Sequence, residues 1–286
     1  MTHLSQMRDN SHITMRSDMV SLQGKVAIVT GAGSGMGRET ALLLARDGVT
    51  VALVGRRASA LEEVAQVIAA DGGHAVVVAE DVAATGAGVR IVDAVHAAAG
   101  PVDLLVHAAG ASSSVQNARW VPEDEWRTVI DVNLTAVHLL TQALLSDLLR
   151  NGDGTVITIS SLAAVNPNLL GGAAYGAAKA GVRNYMTFLH NTFRNEGLRA
   201  VTVLPGEADT PILDGRARPP APAEREHMLR PEDVAEAVRL VAILPQRAVV
   251  QELVIAPTRQ RDTSVDIEIS RNTGAPDGAA DRKDSE

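Results

Sequence analysis

The sequence contains no cysteine, and this absence excludes a disulfide framework, a thiol nucleophile and a thiolate metal site. Aromatic residues make up only 2% of the 286 residues, so the core has to be built from alanine, valine, leucine and isoleucine. An excess of positive charge is also missing, because the formal net charge is −8. Nucleic acids are bound through basic surface, so no nucleic-acid partner is expected. We predict no metal site.

Long hydrophobic runs are absent as well. The apolar runs have the length of β-strands and fall well short of a membrane span, and residues 1–20 lack the apolar central region of a secretory signal. We therefore predict a cytoplasmic protein with no membrane partner. The polar residues 1–22 are expected to form a disordered leader, and the polar residues 258–286 a disordered tail.

Residues 23–257 are expected to fold as one domain, because short β-branched runs alternate there with helical stretches. This alternation predicts an α/β fold with a doubly wound parallel sheet, covered by helices on both faces in three α/β/α layers. Residues 207–229 break the alternation with a proline-rich, irregular stretch. That stretch is long enough to form a substrate loop.

A glycine-rich turn follows the first predicted strand directly and precedes a predicted helix. In this context glycines let the backbone approach a phosphate, and the helix N-terminus offers free N–H groups to it. The pattern G-x-G-x-x-G fails here because Met36 occupies its last position, whereas T-G-x-x-x-G-x-G fits from Thr30 to Gly37. The alternative is a turn that uses glycine only for close packing.

Two arginines follow the second predicted strand, where Gly55 is succeeded by Arg56 and Arg57. An acidic residue is expected near this point when an adenosine ribose carries a free 2′-hydroxyl. A guanidinium instead pairs with a 2′-phosphate through two parallel hydrogen bonds. The pattern favours NADP(H), with NAD(H) not excluded. In the alternative interpretation, both arginines are solvated charges at a helix start.

Tyr175 and Lys179 are four residues apart in a stretch of small, helix-compatible residues. Residues at this spacing lie on one helical face, so the phenol and the ammonium can converge on one volume. A nearby cation lowers the pKa of a phenol, which would make Tyr175 a usable proton donor or acceptor near neutral pH. The alternative is that Tyr175 packs while Lys179 is solvated.

Taken together and in this order, these motifs resemble the short-chain dehydrogenase/reductase family from about Gly24 to Pro257, with its Rossmann-like fold. The resemblance implies a catalytic tetrad of Asn133, Ser161, Tyr175 and Lys179. The complete predicted cofactor site comprises Thr30, Gly31, Ser34, Gly35, Met36, Gly37, Arg56, Arg57, Asp81, Val82, Ala108, Ala109, Gly110, Tyr175, Lys179, Pro205, Gly206 and Thr210.

The family resemblance also implies a chemistry, which is hydride transfer between a nicotinamide cofactor and a small carbonyl or alcohol substrate. Tyr175 would pass a proton to or from the substrate oxygen, and Ser161 would hydrogen-bond that oxygen. Lys179 would lower the pKa of Tyr175 and bind the nicotinamide ribose, while Asn133 would help to hold a relay water. Relatives commonly pair the two long helices, which implies a homodimer or homotetramer.

The sequence departs from the family pattern at three places. His107 precedes Ala108 where the family has two asparagines, and we interpret His107 as structural. Ser160 competes with Ser161 for the serine role, and the family pattern favours Ser161. The C-terminal end of the last strand lacks the glycine pair that many relatives carry, which leaves that wall of the pocket undefined.

Two other functions stay open from the sequence. One is a cofactor-binding sensor or scaffold that performs little catalysis, and the other is an isomerase or dehydratase on the same fold. A sensor or scaffold would be indicated by the absence of Tyr175 or Lys179, and both residues are present.

Overall fold

Seven parallel β-strands form one central sheet in the computed structural model, which describes residues 19–277. The strands run in the order β3-β2-β1-β4-β5-β6-β7, and every pairing between neighbours is parallel. Their bounds are β1 Val26–Thr30, β2 Thr50–Gly55, β3 His74–Ala79, β4 Leu104–His107, β5 Thr155–Ile159, β6 Arg199–Pro205 and β7 Glu252–Ile255. The predicted doubly wound sheet is confirmed. Its strand order reverses between β1 and β4, where open sheets of this kind bind ligands at the carboxyl ends of the strands.

Helices cover both faces of the sheet. Helices α1, α2 and α8 contribute to the core on one face, and α3, α5 and α6 to the core on the other. The helices are α1 Gly35–Arg46, α2 Ala58–Ala70, α3 Ala87–Ala99, α4 Glu123–Ile130, α5 Ala136–Leu149, α6 Ala173–Phe193, α7 Pro222–Arg225, α8 Pro231–Ala242 and α9 Ser264–Asn272. Successive side chains of β1 point to opposite faces of the sheet, so Val29 packs into the first core and Ile28 into the second. Because both faces are covered, such a strand needs a continuous apolar run.

Helices α4 and α5 form one continuous helical segment, joined by the π-helical turn Asp131–Thr135. The turn contains Asn133, and single π turns inside helices often mark functional sites. By length and composition alone, Glu123–Leu149 is long and apolar enough to cross a membrane. This corrects the expectation that every apolar segment is strand-sized, although here the segment contacts α3 and α6.

The folded domain extends beyond both of its predicted ends. At the N-terminus, the Val20 N–H donates to the Ile243 carbonyl (2.8 Å) and Leu22 is buried, so the domain starts before residue 23. At the C-terminus, α9 lies within the stretch predicted to be disordered, and its Asp266 is buried. The scarcity of large apolar residues predicted disorder, but arginine–carboxylate pairs attach this segment to the domain. The remaining parts of both predicted tails, 1–18 and 278–286, lie outside the described residues.

Candidate active site

Two cavities meet at the carboxyl edge of the sheet. The glycine-turn cavity, of about 410 Å³, lies beside the turn between β1 and α1. The loop cavity, of about 330 Å³, lies between the loops that follow β4, β5 and β6. Both are lined by Met36, Ser160, Tyr175, Thr210 and Ile212. A molecule in one cavity can therefore approach a molecule in the other at Tyr175.

The glycine turn places backbone against the ligand space, as the sequence predicts. Gly31 and Gly35 have φ values of +67° and +52°, which L side chains rarely adopt. A Cβ atom on Gly31 would also lie 2.8 Å from the Ala109 nitrogen. Ser34 precedes α1 without capping it through its side chain, so the first N–H groups of this helix are left for a ligand.

Thr30 lies at the end of β1, directly before the glycine turn. Its side chain is buried, does not line the glycine-turn cavity, and accepts hydrogen bonds from the Ala108 and Ala109 N–H groups, both at 3.1 Å. Thr30 thus ties the end of β1 to the loop after β4. The structure gives it a positioning role for that loop.

Arg56 and Arg57 line the far part of the glycine-turn cavity together with Asp81 and Val82. Both arginine side chains are exposed, and neither has a hydrogen-bond or ion-pair partner among residues 19–277. The Asp81 carboxylate accepts a hydrogen bond from the Ala83 N–H at 3.0 Å, which fixes the loop after β3. This end of the cavity therefore combines two free guanidinium groups with a fixed loop.

Tyr175 and Lys179 converge on α6 as predicted, with the Lys179 Nζ 5.4 Å from the centre of the Tyr175 ring. Lys179 is buried, and its Nζ donates to the Ile159 carbonyl at 2.9 Å. Burial lowers the pKa of Lys179 to about 8. Burial also raises the pKa of Tyr175, against smaller opposing effects of a hydrogen bond with Ser161 and the charge of Arg216. The predicted lowering of the Tyr175 pKa is therefore wrong for this structure, because desolvation outweighs the effects of Ser161 and Arg216.

The two serines after β5 have separate roles. The Ser161 side chain lowers the pKa of the neighbouring Tyr175 phenol, and its Oγ accepts from the Ala163 N–H at 3.1 Å. The Ser160 hydroxyl is buried and donates to the Lys179 carbonyl at 3.1 Å, which attaches β5 to α6. Ser161 is thus the serine next to the phenol, as the family pattern favours.

Asn133 approaches Lys179 from the π-helical turn. Its Nδ2 donates to the carbonyls of Ala111 (2.7 Å) and Val129 (2.8 Å), while its buried Oδ1 has no hydrogen-bond partner within the described part of the chain. A Cβ atom on Gly110 would lie 3.3 Å from this Oδ1 and 4.0 Å from the Lys179 Nζ. The amide oxygen and the ammonium therefore border the same small polar space, which suits an ordered water.

His107 is buried at the end of β4, and its Nε2 lies 2.9 Å from the Thr141 Oγ1 on α5. Burial, together with the charge of Lys179, lowers the pKa of His107 to about 3. The imidazole is therefore neutral at physiological pH. Its hydrogen bond joins the sheet to a helix, which agrees with a structural role.

Several polar groups of the loop cavity lie outside the predicted site residues. Pro205 and Gly206 line the loop cavity. The loop cavity is further lined by Gln116, Glu207, Arg216, Glu224, His227, Arg259 and Arg261. The cluster of arginines in the loop 207–229 was the available signal. Arg216 and Arg218 pair with Glu207 and Glu224 of the same loop. The pairs of this loop with Asp266 and Arg261 span 48 and 54 residues, so they were not visible in the sequence.

Taken together, the parallel sheet, the glycine turn and the cavity at the strand-order reversal define a nucleotide-binding α/β protein of the Rossmann type. A sequence profile of the family described as short chain dehydrogenase matches residues 25–220. The chain therefore belongs to the short-chain dehydrogenase/reductase family and is an oxidoreductase of that family.

Individual relatives agree with this assignment. The cis-4-hydroxycyclohexanecarboxylate dehydrogenase of Sinomonas cyclohexanicum is 35% identical over 224 residues, which cover 76% of this chain and 89% of that protein. A metagenomic short-chain oxidoreductase solved in complex with NADP is 32% identical, with a TM-score of 0.72 over 84% of this chain and 100% of the other. The 3-ketoacyl-(acyl-carrier-protein) reductase of Brucella melitensis, solved with NADH, is 30% identical, with a TM-score of 0.75 over 84% and 99%. Similar structures thus hold a nicotinamide cofactor of either type.

Proposed function

We propose that this protein is an NADP-preferring dehydrogenase/reductase that interconverts a carbonyl group and a secondary alcohol, with Tyr175 as the acid–base residue. The observation that carries the proposal is the meeting of the two cavities at Tyr175, with Ser161 lining the loop cavity beside it and Lys179 next to its ring. This arrangement suits proton transfer to a small molecule held in the loop cavity.

The glycine-turn cavity fits a dinucleotide. The N-terminus of α1 and the close backbone at Gly31 suit the pyrophosphate, and Asp81 with Val82 borders the adenine end. Arg56 and Arg57, which have no side-chain partner among residues 19–277, would hold a 2′-phosphate, and this supports NADP over NAD. When bound, the nicotinamide would supply or accept the hydride.

Proton transfer would be carried out by residues of the chain itself. Because burial raises its pKa, Tyr175 keeps its proton at neutral pH and can donate it to a substrate oxygen. Ser161 would hydrogen-bond the same oxygen and stabilise the negative charge that develops there. The polar space between Asn133 and Lys179 would hold the water that returns the proton.

The direct test is Tyr175→Phe, which removes the hydroxyl and keeps the ring. General acid–base catalysis contributes roughly 10²- to 10⁴-fold, so kcat is expected to fall by that factor. NADPH affinity, measured by fluorescence titration, should change little and serves as the control for folding. Turnover that survives the substitution unchanged would refute the assignment. Cofactor binding without turnover across ketones, aldehydes and quinones would instead favour a sensor or scaffold.

The remaining parts of the proposal concern substrate, assembly and location. The name of the Sinomonas relative makes cyclic hydroxy acids the first compounds to test. A homodimer or homotetramer formed through α5 and α6 is supported by the exposed Leu139 and Phe188 on these helices. Light scattering of the purified protein tests the assembly, and fractionation of expressing cells tests the proposed cytoplasmic location.

A further inference from the structure

The segment after β7 forms one wall of the loop cavity. Pro257 packs against Gly206, since a Cβ atom on Gly206 would lie 2.9 Å from the Pro257 Cδ. Arg259, Gln260 and Arg261 then line the cavity before the chain enters α9. This wall is therefore supplied by residues that lie beyond the 25–220 region matched by the family profile.

A network of six charged side chains fixes this wall to the loop 207–229. The Arg261 side chain is only 6% exposed and donates two hydrogen bonds to Glu207, at 2.9 and 3.0 Å, and one to Asp266 at 2.9 Å. The other members of this arginine–carboxylate network are Arg216, Arg218 and Glu224. The backbone of the segment is consequently anchored by Pro257 before Arg259 and by Arg261 after it.

The charges of the arginine–carboxylate network balance one another. Its three arginines face three carboxylates. Arg216, whose charge lowers the pKa of Tyr175, pairs with Glu207 at 2.6 Å. Arg259 also lines the loop cavity, but its side chain is exposed and has no hydrogen-bond or ion-pair partner among residues 19–277. One uncompensated positive charge therefore stands at the rim of this cavity.

We propose that Arg259 binds an anionic substituent of the substrate, which makes the substrate class a carbonyl compound or alcohol that also carries a carboxylate. A guanidinium pairs with a carboxylate through two parallel hydrogen bonds, and the anchored backbone reduces the ordering cost of that pairing. A single free guanidinium matches the single charge of a carboxylate better than a phosphate dianion. The proposal rests on the proposed function for the reacting end of the substrate only.

The test uses ligand binding, so it does not depend on turnover. Calorimetry with NADP⁺ present would compare matched acids and amides, such as cyclohexanecarboxylate with cyclohexanecarboxamide and benzoate with benzamide. Wild-type protein is expected to bind the acids about tenfold or more tightly than the amides, the range of a charge-assisted hydrogen bond. Arg259→Gln should remove this difference by weakening the acids alone, and Arg259→Lys should restore part of it.

A matched control is Arg271→Gln, which removes one positive charge from α9, where the side chain pairs with Glu268 at the surface. It should leave both affinities unchanged. Equal binding of acids and amides by wild type, binding of neither, or an acid preference that persists in Arg259→Gln would overturn the proposal. Acid-selective binding with no turnover of any hydroxy or keto acid would leave Arg259 as the anion site and refute the proposed function.

Discussion

Substitution of Arg261 by methionine is expected to detach the C-terminal segment from the substrate loop. The variant keeps an unbranched apolar chain but removes the three donors that reach Glu207 and Asp266. Removing one partner of a buried ion pair costs about 3–5 kcal/mol, because the other charge stays buried without compensation. Glu207 keeps Arg216 and Asp266 keeps Arg218, so we expect the lower part of this range, about 3 kcal/mol.

This cost is expected to appear as local opening before it appears as global unfolding. Segments held by few apolar contacts open with free energies below that of the whole domain. Amide hydrogen exchange should therefore rise about 100-fold across residues 258–277 in Arg261→Met, while exchange of the central strands stays the same. Arg271→Met is the control, since its 3.5 Å pair with Glu268 is exposed and surface pairs contribute about 0–1 kcal/mol.

Acid should have the same effect on the wild-type protein. Burial opposes the ionisation of Glu207 and Asp266, but the hydrogen bonds and charges of Arg261 together with Arg216 or Arg218 outweigh it and lower the pKa of both carboxyl groups. Their stabilisation is complete above the ordinary carboxyl pKa and is lost as the pH falls through the lowered folded values. Exchange in residues 258–277 should rise below about pH 4. If protection of this segment is insensitive both to Arg261→Met and to acid, the network does not hold it.

Two further predictions concern the cofactor end and the buried lysine. Replacing Arg56 and Arg57 with alanine should weaken NADPH binding by roughly 10- to 100-fold and leave NADH binding nearly unchanged in fluorescence titrations. An equal loss of affinity for NADPH and NADH would contradict a 2′-phosphate site. For Lys179, whose burial lowers its pKa to about 8, the unfolded state binds the proton more tightly, so the free energy of unfolding should rise between about pH 8 and 10. Urea titrations of wild type and Lys179→Met over this range should show that rise only in wild type.

The sequence was sufficient for features that local pattern controls. Continuous β-branched runs such as Val26–Thr30 are buried on both faces, so they predict parallel strands, and the spacing of Tyr175 and Lys179 needs only a helix to bring the two side chains together. The order of α9 was missed because Arg261 and its partner Glu207 are 54 residues apart. The composition of a short stretch of sequence gives its apolar content, but it does not show charge pairs with residues so far away in the sequence.

The direction of the Tyr175 pKa shift was missed for a related reason. The pKa shifts of Tyr175 and Lys179 also have a common consequence. Proximity of a cation can be read from spacing, but desolvation depends on what the folded chain places around both groups. Burial lowers the pKa of Lys179 to about 8 and raises the pKa of Tyr175, so both shifts favour the uncharged form of each group. The phenol is thereby kept protonated at neutral pH, as a proton donor to a carbonyl oxygen must be. Withdrawal of its proton, which alcohol oxidation requires, would depend on the polar space between Asn133 and Lys179.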